Sequence, residues 1–150
     1  MVRNVFDGLV AVDPDHSGDY EQNLQAYEER MDSLHENISA MLADYRGMKF
    51  MVFHPAWGYF AHEYGLVQTA IEQEGQEPGP VGISKIIDQA KQQNIHVIFV
   101  SPQIDSRGAQ VIADEINGEV ARADPLSTDI EAELLYLAQE MAKGFSKQGT

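Results

Sequence analysis

Lys49-Phe50-Met51-Val52-Phe53-His54-Pro55-Ala56-Trp57-Gly58-Tyr59-Phe60-Ala61 is the stretch whose reading decides the fold. Phe50 to His54 forms a short, largely apolar run of the kind that makes a buried strand. A His-Pro pair follows, and Trp57 to Tyr64 reads as a helix ended by Gly65. This is the beginning of a βα unit, with a histidine at the carboxyl end of its strand. In parallel α/β sheets that edge binds ligands, because the strands stop there and the loops open a crevice.

Downstream the alternation continues. Leu66 to Ile71 is the second predicted strand, and residues 73–82, rich in glycine and proline, form a loop. Ile83, Ile86, Ile87 and Ala90 make a helical stripe ending near Asn94. Ile95 to Val100 is the most apolar strand and is expected at the centre, since strands covered on both faces read as continuous hydrophobic runs. Ala109, Ile112, Ala113 and Ile116 share a helical face stopped by Asn117-Gly118, and Glu119 to Ala123 is a shorter strand. Thr128-Asp129-Ile130-Glu131 reads as a capping box opening a last helix, whose stripe is Ile130, Leu134, Leu137, Ala138, Met141 and Phe145. The pattern predicts an α/β class: a four-stranded parallel sheet flanked by helices on both faces, one (β/α)4 lobe with right-handed crossovers.

Upstream, Leu24, Tyr27, Met31, Leu34, Ile38, Met41, Leu42 and Tyr45 recur at steps of three and four, predicting a long amphipathic helix from Asp19 to about Arg46. At 1.5 Å per residue it reaches roughly 40 Å, more than one small lobe needs. A strut between two lobes accounts for that length; a coiled-coil seam is the competing reading. Val5, Phe6, Leu9, Val10 and Val12 read as the tail of a helix that stops before Asp13-Pro14-Asp15. The expected organisation is therefore a remnant of an upstream lobe (1–18), a long interlobe helix (19–46) and a carboxyl-terminal lobe (47–150).

Composition narrows the function. The 150 residues carry 24 acidic and 10 basic side chains, a formal charge of -14, which repels nucleic-acid phosphates and anionic membrane surfaces. There is no cysteine, so disulfides and thiolate metal sites are excluded. No apolar run is long enough to span a bilayer.

The strand ends carry His54-Pro55, Glu72 to Glu74, Ser101-Pro102-Gln103 and Asp124-Pro125. An imidazole and a carboxylate on rigid strand ends, His54 and Asp124, suit a borderline divalent cation such as zinc. Two ligands do not complete a tetrahedral site, so the others must come from outside this chain or from solvent. Ser101, His54 and Asp124 also spell a serine, a base and an acid, but there is no Gly-x-Ser-x-Gly elbow and no glycine-rich oxyanion turn. Glycine-rich nucleotide motifs are absent too. His16, His35, His62 and His96 read as structural or solvated, and Met31, Met41, Met51 and Met141 as core filler.

Phe53-His54-Pro55-Ala56-Trp57-Gly58-Tyr59-Phe60, Tyr64-Gly65-Leu66, Ile98-Phe99-Val100-Ser101-Pro102-Gln103 and Ala123-Asp124-Pro125-Leu126 resemble the carboxyl-terminal lobe of the zinc/manganese-binding solute-binding proteins of ABC transporters. The long helix, with Asp13-Pro14 and Tyr20-Asn23 leading into it, resembles that family's interlobe helix. The resemblance implies that His54 is the first ligand given by the second lobe and that Asp124 completes the set. It implies zinc as cargo, with manganese or iron as alternatives, held weakly by one lobe alone. It further implies a membrane permease as partner and a periplasmic or lipid-anchored extracellular location. The first lobe's two histidines, a His-rich loop and a secretion signal have no counterpart, so a fragment is expected, its exposed face covered by the missing lobe or a homodimer mate. Ser101 stands where many relatives have glutamate. The competing function is a protein-interaction or dimerisation half-domain without metal chemistry.

Overall fold

The computed structural model describes residues 1–72, 75–76, 78–104 and 107–148. The chain divides into two compact units, Met1–Asn37 and Ile38–Thr150. In the first, helix α1 (Val2–Val12) is joined by a single 3-10 turn at Pro14–His16 to the long helix α2 (Ser17–Leu42), whose residues from Ile38 onward belong to the second unit. Asp13 organises that corner: its carboxylate accepts the Tyr20 hydroxyl at 2.7 Å and lies 2.9 Å from His16 Nδ1 through both oxygens. The hydrogen bonds from His16 and then Tyr20 hold the Asp13 carboxyl below its usual range. Arg3 pairs with Glu28 at 2.8 Å across the hairpin, beside an open apolar groove lined by Val5, Phe6, Leu9, Leu24 and Tyr27.

The second unit holds the sheet. Its four strands are β1 (Lys49–Val52), β2 (Val67–Ala70), β3 (Val97–Val100) and β4 (Glu119–Arg122), all parallel, in the order β2-β1-β3-β4. The crossovers are α3 (Gly58–Glu63), α4 (Pro80–Gln92) and α5 (Arg107–Glu115), and α6 (Ile130–Gln148) follows β4. The predicted four-stranded parallel α/β lobe is thus present, with the most apolar strand, β3, in the interior of the sheet. Met51 and Phe53 of the first strand region and Ile98 and Val100 of β3 face Ile86 and Ala90 of α4 and Ala109, Ile112 and Ala113 of α5. Side chains alternate along a strand, so Phe50, Val52, Val97 and Phe99 take the opposite face. There Phe50 and Phe99 meet edge to face at 6.0 Å. α6 also approaches that face closely: a Cβ on Gly144 would stand 2.7 Å from Val97 Cγ1.

All three crossover helices end in the same way. A residue in the left-handed conformation follows each, Gly65 (φ 68°), Asn94 (φ 54°) and Asn117 (φ 51°). The next N–H then reaches back to the last full turn: Leu66 to the Ala61 carbonyl at 2.7 Å, Ile95 to Ala90 at 2.9 Å, and Gly118 to Ala113 at 2.8 Å. This is the Schellman stop, which satisfies carbonyls the helix leaves open. It also explains why β2 and β3 start later than the sequence pattern predicts: Leu66 and Ile95 are apolar, but their N–H groups belong to the helix caps.

Other boundaries shift for equally local reasons. β1 ends at Val52 instead of His54, although the Phe53 N–H still donates to the Phe99 carbonyl at 2.8 Å. The long helix closes at Leu42, and Ala43–Tyr45 tightens into a 3-10 turn before Gly47. α4 begins at Pro80, inside the predicted loop, because proline is suited to the first helical position. Of that loop, Gln73, Glu74 and Glu77 lie outside the described residues. The cap of α6 is Asp129, whose Oδ1 accepts the Ala132 N–H at 3.1 Å, so Thr128 is not the capping residue.

At the amino edge, the Glu119 carboxylate takes a hydrogen bond from Lys147 and lies 3.4 Å from Lys143 Nζ. The Lys147 bond, and then the Lys143 charge, hold the Glu119 carboxyl below its ordinary value of 4.5. A depressed carboxylate contributes stability above its unfolded pKa and loses it as pH falls through the folded one. Glu119→Gln should therefore lower the urea midpoint slightly at neutral pH and match the parent chain in strong acid. The pair is exposed, so added salt should shrink the difference. A stronger effect is expected at Gly118, where a Cβ would stand 2.7 Å from the backbone oxygen of His96. Gly118→Ala should cost about 1–3 kcal/mol of unfolding free energy in the same assay.

Candidate metal-ligand edge

Parallel strands deliver their carboxyl ends to one rim, and the sheet order arranges Glu72, His54, Ser101 and Asp124 along it. The chain order reverses between β1 and β3, so the crevice expected of an open α/β sheet lies between His54 and Ser101. β1 and β4 are separated by β3 alone, which puts their backbones roughly 10 Å apart.

Several contacts hold the His54 end in place. The Phe53 carbonyl accepts the Glu72 N–H at 3.0 Å, prolonging the β1–β2 ladder beyond the regular strands. Pro55 restricts His54 to extended backbone, and the Ala56 N–H turns back to the His54 carbonyl at 2.8 Å. The next turn is anchored from β2, where Gln68 Oε1 accepts the Trp57 N–H at 2.9 Å. The His54 ring is 52% exposed, and its Nδ1 stands 2.6 Å from Glu72 Oε2.

Asp124 is held by a different set. Its Oδ1 accepts the Leu126 N–H and the Gln103 side-chain amide, both at 2.9 Å. The first of these is an Asx-turn, which folds the Asp-Pro-Leu segment back onto the Asp124 side chain. Its own N–H donates to Glu133 Oε1 at 2.7 Å, which ties the loop to the first turns of α6.

The rim therefore gathers two pairs, His54 with Glu72 and Asp124 with Gln103, on the two sides of the switch point. No hydrogen bond or ion pair joins His54 to Asp124 among the described residues, and no three His, Cys, Asp or Glu side chains cluster there as a cation cage. Gln73 and Glu74, named above at the end of β2, lie outside the described residues. Ser101 is buried, and its carbonyl accepts the Ile104 N–H at 3.1 Å. His16 is engaged by Asp13 in the first unit, and His96 Nε2 lies 3.1 Å from Asn94 Oδ1 at the amino edge of the sheet, away from this rim. Glu72 was legible as a rim residue but its pairing with His54 was not, and nothing in the pattern marked Gln103 or Glu133 as supports of Asp124.

Donors of this kind suit a divalent cation, an imidazole nitrogen and a carboxylate oxygen being ordinary zinc ligands. The high-affinity zinc uptake protein ZnuA of Bacillus subtilis (strain 168) is 31% identical over 129 residues, covering 85% of this chain and 40% of that protein. ZnuA of Brucella abortus (strain 2308) is 29% identical over 133 residues, 87% of this chain and again 40% of the relative. A crystal structure of ZnuA superposes with a TM-score of 0.89 at 37% identity, covering 93% of this chain and 53% of that one. A zinc-bound ZnuA deletion mutant gives 0.85 at 37% identity, covering 93% and 54%. The chain thus spans 40% of the length of these curated relatives. Residues 1–143 match the family model described as ZnuA, zinc-uptake complex component A periplasmic, and the chain belongs to that family.

Proposed function

We propose that this chain supplies the second lobe of a solute-binding component that captures zinc for an ABC transporter, with His54 and Asp124 as its contribution to the ion's coordination. The observation that carries the reading is the parallel sheet itself, which sets an imidazole and a carboxylate at the same rim on either side of the switch point. Relatives named for high-affinity zinc uptake support the choice of cargo. So does the imidazole, which suits zinc better than an all-oxygen site would; manganese and iron are the competing ions.

On this reading residues 1–18 close an upstream lobe, residues 19–46 run between the lobes and residues 47–150 carry the metal edge. The open apolar groove between α1 and α2, and the absence of any buried residue in α1, fit a hairpin meant to be covered by that lobe. Tyr59 and Leu126, 95% and 76% exposed, flank the rim and would meet the facing lobe when the ion is enclosed. Capture then means closing the remaining ligands over a half-built site, and release to a membrane permease means loosening ligands held on short loops. A continuous helix such as α2 limits wide hinge opening, so local loop movement would dominate. No helix among the described residues is long and apolar enough to cross a membrane, in keeping with a periplasmic or extracellular component.

Calorimetric titration of the 150-residue chain with zinc chloride tests this. Weak binding is expected, because two protein ligands leave the coordination sphere to water. His54→Ala and Asp124→Ala should each weaken it at least about tenfold. Affinity that ignores both substitutions would sink the metal reading. A concentration-dependent dimer indifferent to chelator, seen by sedimentation, would favour the interaction module instead.

A further inference from the structure

Glu72 is a second carboxylate at the rim that the ligand pair does not use. Its side chain is 15% exposed, and Oε2 lies 2.6 Å from His54 Nδ1. A carboxylate offers only acceptor sites, so this bond needs the proton on Nδ1. A neutral imidazole carries one N–H, and Nε2 is then left with its lone pair. The contact is built into the sheet: the Ile71 N–H donates to the Val52 carbonyl at 2.8 Å and the Glu72 N–H to Phe53 at 3.0 Å, so both side chains spring from adjoining rungs of one ladder.

We propose that Glu72 is the positioning residue of the metal edge, holding His54 in the Nδ1-protonated tautomer so that Nε2 is the one nitrogen available to a divalent cation. The inference rests on His54 being a ligand, as proposed above. A carboxylate behind a ligating imidazole fixes its orientation and raises its basicity. The ring is ordered before the ion arrives, so less rotational freedom is lost on binding. Asp124 is treated in a parallel way. Two donors occupy Oδ1, and Oδ2 accepts none among the described residues, which prepares a carboxylate that binds through one oxygen.

The test compares the parent chain, Glu72→Gln and His54→Ala, free of metal and then titrated with zinc chloride. Long-range proton–nitrogen NMR correlations report which ring nitrogen carries the proton and distinguish either neutral tautomer from the doubly protonated ring. The parent chain should show His54 as the Nδ1–H tautomer. Glu72→Gln, whose amide both donates and accepts, should give a tautomer mixture and bind zinc about 10- to 100-fold more weakly. If Glu72→Gln keeps the Nδ1–H tautomer, or keeps the parent's zinc affinity while His54→Ala loses it, the positioning role is overturned and the ligand reading stands. If zinc affinity ignores His54→Ala, the proposed function fails and this inference fails with it.

Discussion

A parallel sheet obliges the chain to return to the same edge before every strand, and the rest of this lobe follows from how it meets that demand. Each crossover helix must stop within one residue and release the chain into a strand. Gly65, Asn94 and Asn117 do this by adopting the left-handed conformation, which glycine enters freely and asparagine tolerates better than most residues. With the returns settled at one edge, the opposite edge is left to short loops. His54 and Asp124 are therefore neighbours of a single rim, although 70 residues separate them in the chain.

The same economy explains which features could be read from the residues. Apolar runs located β1 and β3, the alternation of elements located β2 and β4 between them, and apolar stripes located α2, α4, α5 and α6, because burial is the dominant force and it leaves a periodic trace. Boundaries were less legible where one residue serves two elements. Leu66 and Ile95 have the side chains of strand residues and the N–H partners of helix caps. Thr128 and Asp129 are both capable caps, and only the course of the loop decides between them.

At the rim, His54 and Asp124 stood out through the company they keep, a histidine and an aspartate each followed by proline at a strand end. Their supports did not. Glu72 and Gln103 act across neighbouring strands, at separations of 18 and 21 residues. Such a relation is made by strand order and register, and no local pattern records it. Gln68 and Glu133, which accept the N–H groups of Trp57 and Asp124, were hidden for the same reason.

The outermost strands, β2 and β4, are four residues each. An outer strand offers unpaired backbone groups that another chain can extend into a fibril, a hazard that grows with length and flatness. Segments that seed such growth are typically about six or seven residues long. Four rungs, ended in β4 by the charges of Glu119 and Arg122, give a neighbouring molecule little to copy. A sheet this small thus presents only four rungs at each outer edge for another molecule to pair with.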